Sequence, residues 1–238
     1  MNDAPSSPSQ VDPATQRYAD HINPAFVQLL GTFGYGRVFV RAAGNELWDS
    51  HDRTYVDMLA GFGATSLGHN PPRLIERLQR ALGEQLPNVM HVGPNAWAGL
   101  LGEALAQRVP KLPLAMLSCS GGEAVESAMK LARAATGRGG IIYCSGGFHG
   151  TGLGSLSVMG HARWQRPFQP LLPECYAVPF GDREALASQL SSHKIAAVLV
   201  EPIQGEAGVV MPPAGYLNDV QRLCRQHGAL FMLDEVQT

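Results

Sequence analysis

The chain has 238 residues, of which 45% are hydrophobic and 16% charged, and a formal net charge of −2. That composition belongs to a folded globular protein and excludes a disordered or fibrous one. With no long basic run, charge gives no support for a nucleic-acid or membrane-surface partner, and no stretch approaches the ~18 consecutive apolar residues of a membrane span.

In chain order, MNDAPSSPSQVDPATQ has no apolar core, so it is not a signal peptide. Its Pro, Ser and Asp content predicts a flexible arm over residues 1–22 and, by default, a cytoplasmic location. GRVFVRAAGNELWDSHDRTYVDML alternates apolar and polar residues around turn formers and predicts short antiparallel strands. GFGATSLGHNPP reads as a loop. PRLIERLQRALGEQL places Leu74, Leu78 and Leu82 four apart behind a proline and predicts an amphipathic helix. NAWAGLLGEALAQRV predicts another. Residues 23–112 therefore form an N-terminal segment of short strands and helices.

From residue 113 short apolar runs alternate with helical stretches. The runs LAMLSC, GIIYC, ECYAVPF, IAAVLVEP and ALFMLDE predict buried strands. GEAVESAMKLARAAT, REALASQLSS and GYLNDVQRLCRQHG predict helices. The alternation implies an α/β fold with a mainly parallel sheet covered by helices. Ligands of such sheets bind beyond the carboxyl ends of the strands. Attention therefore falls on Ser120-Gly121-Gly122, on Ser145 to His149, on Glu201-Pro202 and on Asp234-Glu235. Cys119, Cys144, Cys175 and Cys224 are widely spaced without a C-x-x-C pair, so they are expected to be buried free thiols rather than disulfides or metal ligands.

Backbone amides at a helix start, approached through glycines, make an anion site, as LSCSGGEAVES would. Ser120 and Glu123 equally suit a simple capping box, and the two roles can coexist. Asp234 at the end of LFMLDE needs a cationic partner or several donors, because an unpaired buried carboxylate is costly. The phosphate loop of an ATPase is absent, as are a nucleophile elbow and a clear dinucleotide turn. His149 alone would more often be structural. Together the pieces fit a ligand with a phosphate, a flat ring and a ring cation. Pyridoxal 5′-phosphate (PLP) has all three. Its phosphate would take the Gly121–Gly122 turn, its ring would lie against Phe148, and its pyridinium nitrogen would face Asp234.

Five segments in order, LWDSHDRTYVDMLAGFGATSLGHNPP, SGGEAVESAMKLARAATGR, GGFHG, EPIQGEAGVVMPPAGYL and LDEVQT, strongly resemble the class III aminotransferases, from about Asn23 to Thr238. Ornithine, acetylornithine and putrescine aminotransferases belong to that group. The resemblance implies the fold-type-I PLP-transferase large domain, begun at residue 113 and cut short. It also implies a transaminase that moves an amino group between an amine or ω-amino acid and a 2-oxo acid. By position it assigns Gly121 and Gly122, with Ser120, to the phosphate. Phe148 and Val236 take the two ring faces, Asp234 the ring nitrogen, and Gln237 the phenolic oxygen. Glu206 is placed near the substrate, and Glu201 and His149 become supports. A turn after a strand explains Glu201 and Glu206 equally well. A homodimer is implied, with GHNPP and NVMHVGPNAW facing the partner.

The family's Schiff-base lysine lies beyond the DEVQT segment, and the only lysines here are Lys111, Lys130 and Lys194. The expectation is a chain lacking the C-terminal domain, inactive as a transaminase and at best a weak PLP binder. Thr151, Gly152 and Gly122 also depart from the family pattern. The other readings are an inactive PLP-fold binding or structural partner, and a PLP aminomutase or decarboxylase of the same family.

Overall fold

The structure is a computed structural model and describes residues 11–87 and 92–238. The chain divides into two compact units, residues 1–89 and 90–238. The first ten residues of the expected arm, 1–10, and the first four of NVMHVGPNAW, residues 88–91, lie outside the described residues.

In the first unit, α1 (Pro13–His21) and α2 (Pro24–Thr32) are each capped by an Asx side chain. Asp12 accepts from the Ala14 amide and Asn23 from the Phe26 amide, with proline at the first helical position. Residues 13–21, assigned to the arm by composition, are thus helical. β1 (Phe39–Ala43), β2 (Glu46–Asp49) and β3 (Thr54–Val56) form the expected antiparallel meander. Asp49, 1% exposed, closes the β2–β3 turn by accepting from the His51 and Arg53 amides, Arg53 Nε and the Tyr55 hydroxyl. α3 (Pro72–Gly83) follows the GHNPP loop.

The second unit contains α4 (Ala96–Arg108), α5 (Gly121–Thr136), β4 (Gly140–Cys144), the single turns α6 (Leu153–Leu156) and α7 (Ala162–Gln165), β5 (Cys175–Val178), α8 (Arg183–Ser192), β6 (Ile195–Val200), α9 (Tyr216–His227) and β7 (Leu230–Leu233). The four strands form one parallel sheet in the order β5-β4-β6-β7. The two central strands, GIIYC and IAAVLV, are buried at every position, as strands covered on both faces must be. Successive residues point to opposite faces. Ile142, Val198 and Val200 therefore pack with Leu186 and Leu190 of α8 and Val220 and Leu223 of α9. Ile141 and Leu199 pack instead with Val125 and Met129 of α5 and with Val158. Arg138 ties the amino-terminal edge together, donating through Nη1 to the carbonyls of Ile195, His227 and Gly228.

One expected strand is missing. LAMLSC carries no ladder, and Leu114 and Met116 are 92% and 64% exposed. An apolar run becomes a strand only beside an open edge, and neither β5 nor β7 takes it. A second difference concerns the thiols. All four cysteines are free, but only Cys144 and Cys224 are buried; Cys175 is half-buried and Cys119 is exposed. Burial pushes the Cys144 and Cys224 thiols up to about 11 and about 12, which keeps them protonated and unreactive. Among the described residues no helix is long and apolar enough to cross a membrane.

Candidate cofactor site

Four segments meet at the carboxyl edge of the parallel sheet: the start of α5, the loop after β4, the loop after β6 and the residues after β7. The start of α5 is a capping box shifted by one residue. Ser120 Oγ accepts from the Glu123 amide at 3.2 Å, while Glu123 Oε2 accepts from the Cys119 amide at 2.9 Å. The cap leaves the Ser120 hydroxyl proton free to donate. The amides of Gly121 and Gly122 are first-turn donors with no intrahelical partner, at the positive end of a sixteen-residue helix. A Cβ on Gly121 would stand 3.0 Å from Val236 Cγ2, so Val236 borders this turn.

Asp234 lies just beyond β7, where its amide still pairs with the Val200 carbonyl. Its side chain is 6% exposed. Oδ1 accepts from the Val236 amide at 3.1 Å and Oδ2 lies 2.8 Å from His149 Nδ1. A carboxylate only accepts, so Nδ1 is the donor. The His149 ring is fully buried, and its Nε2 has no hydrogen-bond partner among the described residues. One residue earlier, Phe148 is 36% exposed, its ring neither packed away nor fully in water.

Glu201, at the end of β6 and 6% exposed, accepts from the Phe148 amide at 3.1 Å. Burial raises its pKa, the Phe148 amide and His149 partly offset this, and the charge of Asp234 adds to the rise. The sign follows from linkage. A carboxyl that holds its proton more tightly when folded lends stability that is complete below the ordinary glutamate range and is lost as pH rises through the folded value. Glu201→Gln keeps an acceptor for Phe148 and has no proton to lose. We expect urea denaturation to show the variant gaining on the wild type as pH rises from about 4 to about 8. A difference independent of pH would show that Glu201 is not titrating under strain.

The glycines of GGFHG serve close approach. Gly150, at φ 118°, has the position of a Cβ only 2.7 Å from Gly122 Cα and 2.9 Å from Ser155 Oγ, so the loop lies directly on the start of α5. Gly150→Ala would combine a disfavoured backbone angle with a collision against backbone. A loss of about 2 kcal/mol in urea denaturation is expected.

The structure thus brings together Ser120, Gly121, Gly122, His149, Phe148, Glu201, Val236 and Asp234. The Gln237 amide packs directly on Gly205 of the β6 loop. Glu206, next to it, is exposed and makes no hydrogen bond or ion pair among the described residues. Lys194 stands at the opposite edge, where its carbonyl accepts from Gly140. Lys130 is in the interior of α5, and Lys111 is exposed in a turn. Sequence reasoning missed Gln204, which is 2% exposed and donates to the Ser145 carbonyl. Nothing in EPIQGE distinguishes a buried amide from a solvated one.

A parallel sheet covered on both faces, with a glycine-lined helix start and a buried carboxylate at its carboxyl edge, is the large-domain architecture of the fold-type-I PLP transferases. The family model described as aminotransferase class-III matches residues 34–238. The chain belongs to the class III aminotransferases, a family of PLP-dependent enzymes. It is 44% identical over 233 residues to aminotransferase PigE of Serratia sp. (strain ATCC 39006), covering 95% of this chain and 27% of that protein. The ornithine aminotransferase of Toxoplasma gondii, whose structure shows partial occupancy of PLP at its active site, superposes with a TM-score of 0.78 at 28% identity, covering 97% of this chain and 57% of that one. The adenosylmethionine-8-amino-7-oxononanoate aminotransferase of Methanocaldococcus jannaschii gives 0.84 at 26% identity, covering 94% and 55%. The chain therefore spans about a quarter of PigE and little more than half of these two solved relatives.

Proposed function

We propose that the chain is the PLP-holding part of a transaminase that moves an amino group between an amine or ω-amino acid and a 2-oxo acid, and that by itself, with Lys111, Lys130 and Lys194 all away from this edge, it binds PLP weakly and does not complete the transfer. The observation that carries this is the placement of Asp234 beside Gly121's neighbour Val236, with its carboxylate buried and held by His149. The residues suit the group. Gly121 and Gly122 offer amides, and Ser120 a hydroxyl proton, to a phosphate. Phe148 and Val236 offer apolar surface to a ring. Asp234 offers a fixed anion to a ring nitrogen, and Gln237 an amide to the phenolic oxygen. Bound PLP supplies an electron-withdrawing ring that stabilises a carbanion next to the transferred nitrogen. The protein's part is electrostatic and positional. The Asp234 carboxylate holds a proton on the ring nitrogen, and His149 Nδ1 keeps that carboxylate from rotating.

The N-terminal segment 23–112 and the PLP-binding portion 113–238 serve as the working divisions of this reading, with Glu206 at its substrate side. A homodimer is part of it, supported by the exposed leucines of α3 (Leu74, Leu78, Leu82) and α4 (Leu100, Leu101, Leu105). A reducing, cytoplasmic setting is supported by the four free thiols. The test is titration of the purified chain with PLP, followed by absorbance and by circular dichroism in the cofactor band. Saturable, induced dichroism at one PLP per chain supports the reading. Its absence overturns it.

A further inference from the structure

We propose that Gln204 is a positioning residue for the segment that carries Phe148 and His149. The proposal rests on the reading of this site as a PLP site. After β4 the chain reverses in a turn closed by the Gly147 amide on the Cys144 carbonyl at 3.1 Å. Neither the Ser145 carbonyl nor the Phe148 amide has a backbone partner among the described residues. Both are taken by side chains of the loop after β6, three residues apart. Gln204 Nε2 donates to the Ser145 carbonyl at 2.9 Å, and Glu201 Oε2 accepts from the Phe148 amide at 3.1 Å. An amide donor meets the carbonyl and a carboxylate acceptor meets the N–H, so the two side chains are not interchangeable.

Gln204 is itself held from both sides. It is 2% exposed, and its backbone pairs with Val210 in both directions, at 3.1 and 2.9 Å. Its Oε1 lies 2.9 Å from where a Cβ on Gly146 would sit, at φ 84°, so the loop and the amide are in direct contact. From the other side the segment is pinned by Gly160, through Gly146 N on its carbonyl and its own N–H on the Gly147 carbonyl. A buried amide placed this way transmits the rigidity of the β6 loop to the residue that covers the ring. Glu201 holds the same segment directly at Phe148. Gln204 acts one step away, through the Ser145 carbonyl.

Two variants of the whole chain test this. Gln204→Met keeps the length and removes the donor. Gln204→Glu places a carboxylate against a carbonyl, but its protonated form can donate as glutamine does. In Gln204→Met without PLP, hydrogen exchange of residues 145–149 is expected to quicken about tenfold while α5 and β6 keep their protection. Its Kd for PLP is expected to rise about tenfold. In Gln204→Glu the affinity relative to wild type is expected to approach one at low pH and to fall as pH rises and the carboxyl ionises. Unchanged exchange at 145–149, exchange quickened evenly across the sheet, or a pH-independent ratio for Gln204→Glu would each overturn the proposal. A wild-type chain that binds no PLP would instead overturn the cofactor reading. The exchange comparison would still decide whether Gln204 holds the segment.

Discussion

Replacing Asp234 by asparagine is expected to weaken PLP binding about a hundredfold while leaving the melting temperature within a few degrees of wild type. The carboxylate is 6% exposed and already holds two donors, the Val236 amide and His149 Nδ1. Asparagine has the same shape, and its oxygen can still accept from one of them. What it lacks is the charge that a ring cation requires. A preorganised charge contact in a site this sheltered is worth about 3 kcal/mol, or roughly two orders of magnitude in an equilibrium. Asp234→Ala should lose the same affinity and also unfold more easily, because His149 would then be buried with neither ring nitrogen paired. Titration by induced dichroism, with thermal melts of both variants, separates the two effects. If Asp234→Asn binds PLP as tightly as the wild type, the carboxylate does not face the ring nitrogen.

Ile142→Ala is expected to cost about 3 kcal/mol of folding stability, a large share of the ~5–15 kcal/mol available to a protein of this kind. Ile142 is fully buried at the centre of β4, opposite Tyr176 of β5 and Val198 of β6. Its side chain sits in the cluster formed with Val178, Leu186 and Val220, so truncation leaves a cavity that strands fixed by ladders on both sides cannot close. Ile142→Val should cost about 1 kcal/mol by the same reasoning. Leu233→Ala on β7, 42% exposed at the sheet edge, should cost less than about 1 kcal/mol. Urea denaturation of the three variants checks the ranking. Equal losses at Ile142 and Leu233 would contradict the order of strands in the sheet.

Much of this protein was determined by sequence alone. Continuous apolar runs of five and six residues such as GIIYC and IAAVLV, alternating with helical stretches, point to strands covered on both faces. The helix that follows LAMLSC is marked by its cap at Ser120, and the others by their spacing of apolar residues. Local periodicity and capping carry that information because each depends on residues a few positions apart. The segments that meet at the carboxyl edge were legible for the same reason, since each directly follows a strand or opens a helix. Only the tertiary structure decided that His149 reaches Asp234, 85 residues away, that Gln204 turns inward onto Ser145, and that Gly150 lies on Gly122. It also decided that LAMLSC remains outside the sheet. Pairing, burial of a polar group and the choice of a sheet edge depend on which distant partner is present, and short-range pattern does not encode that partner.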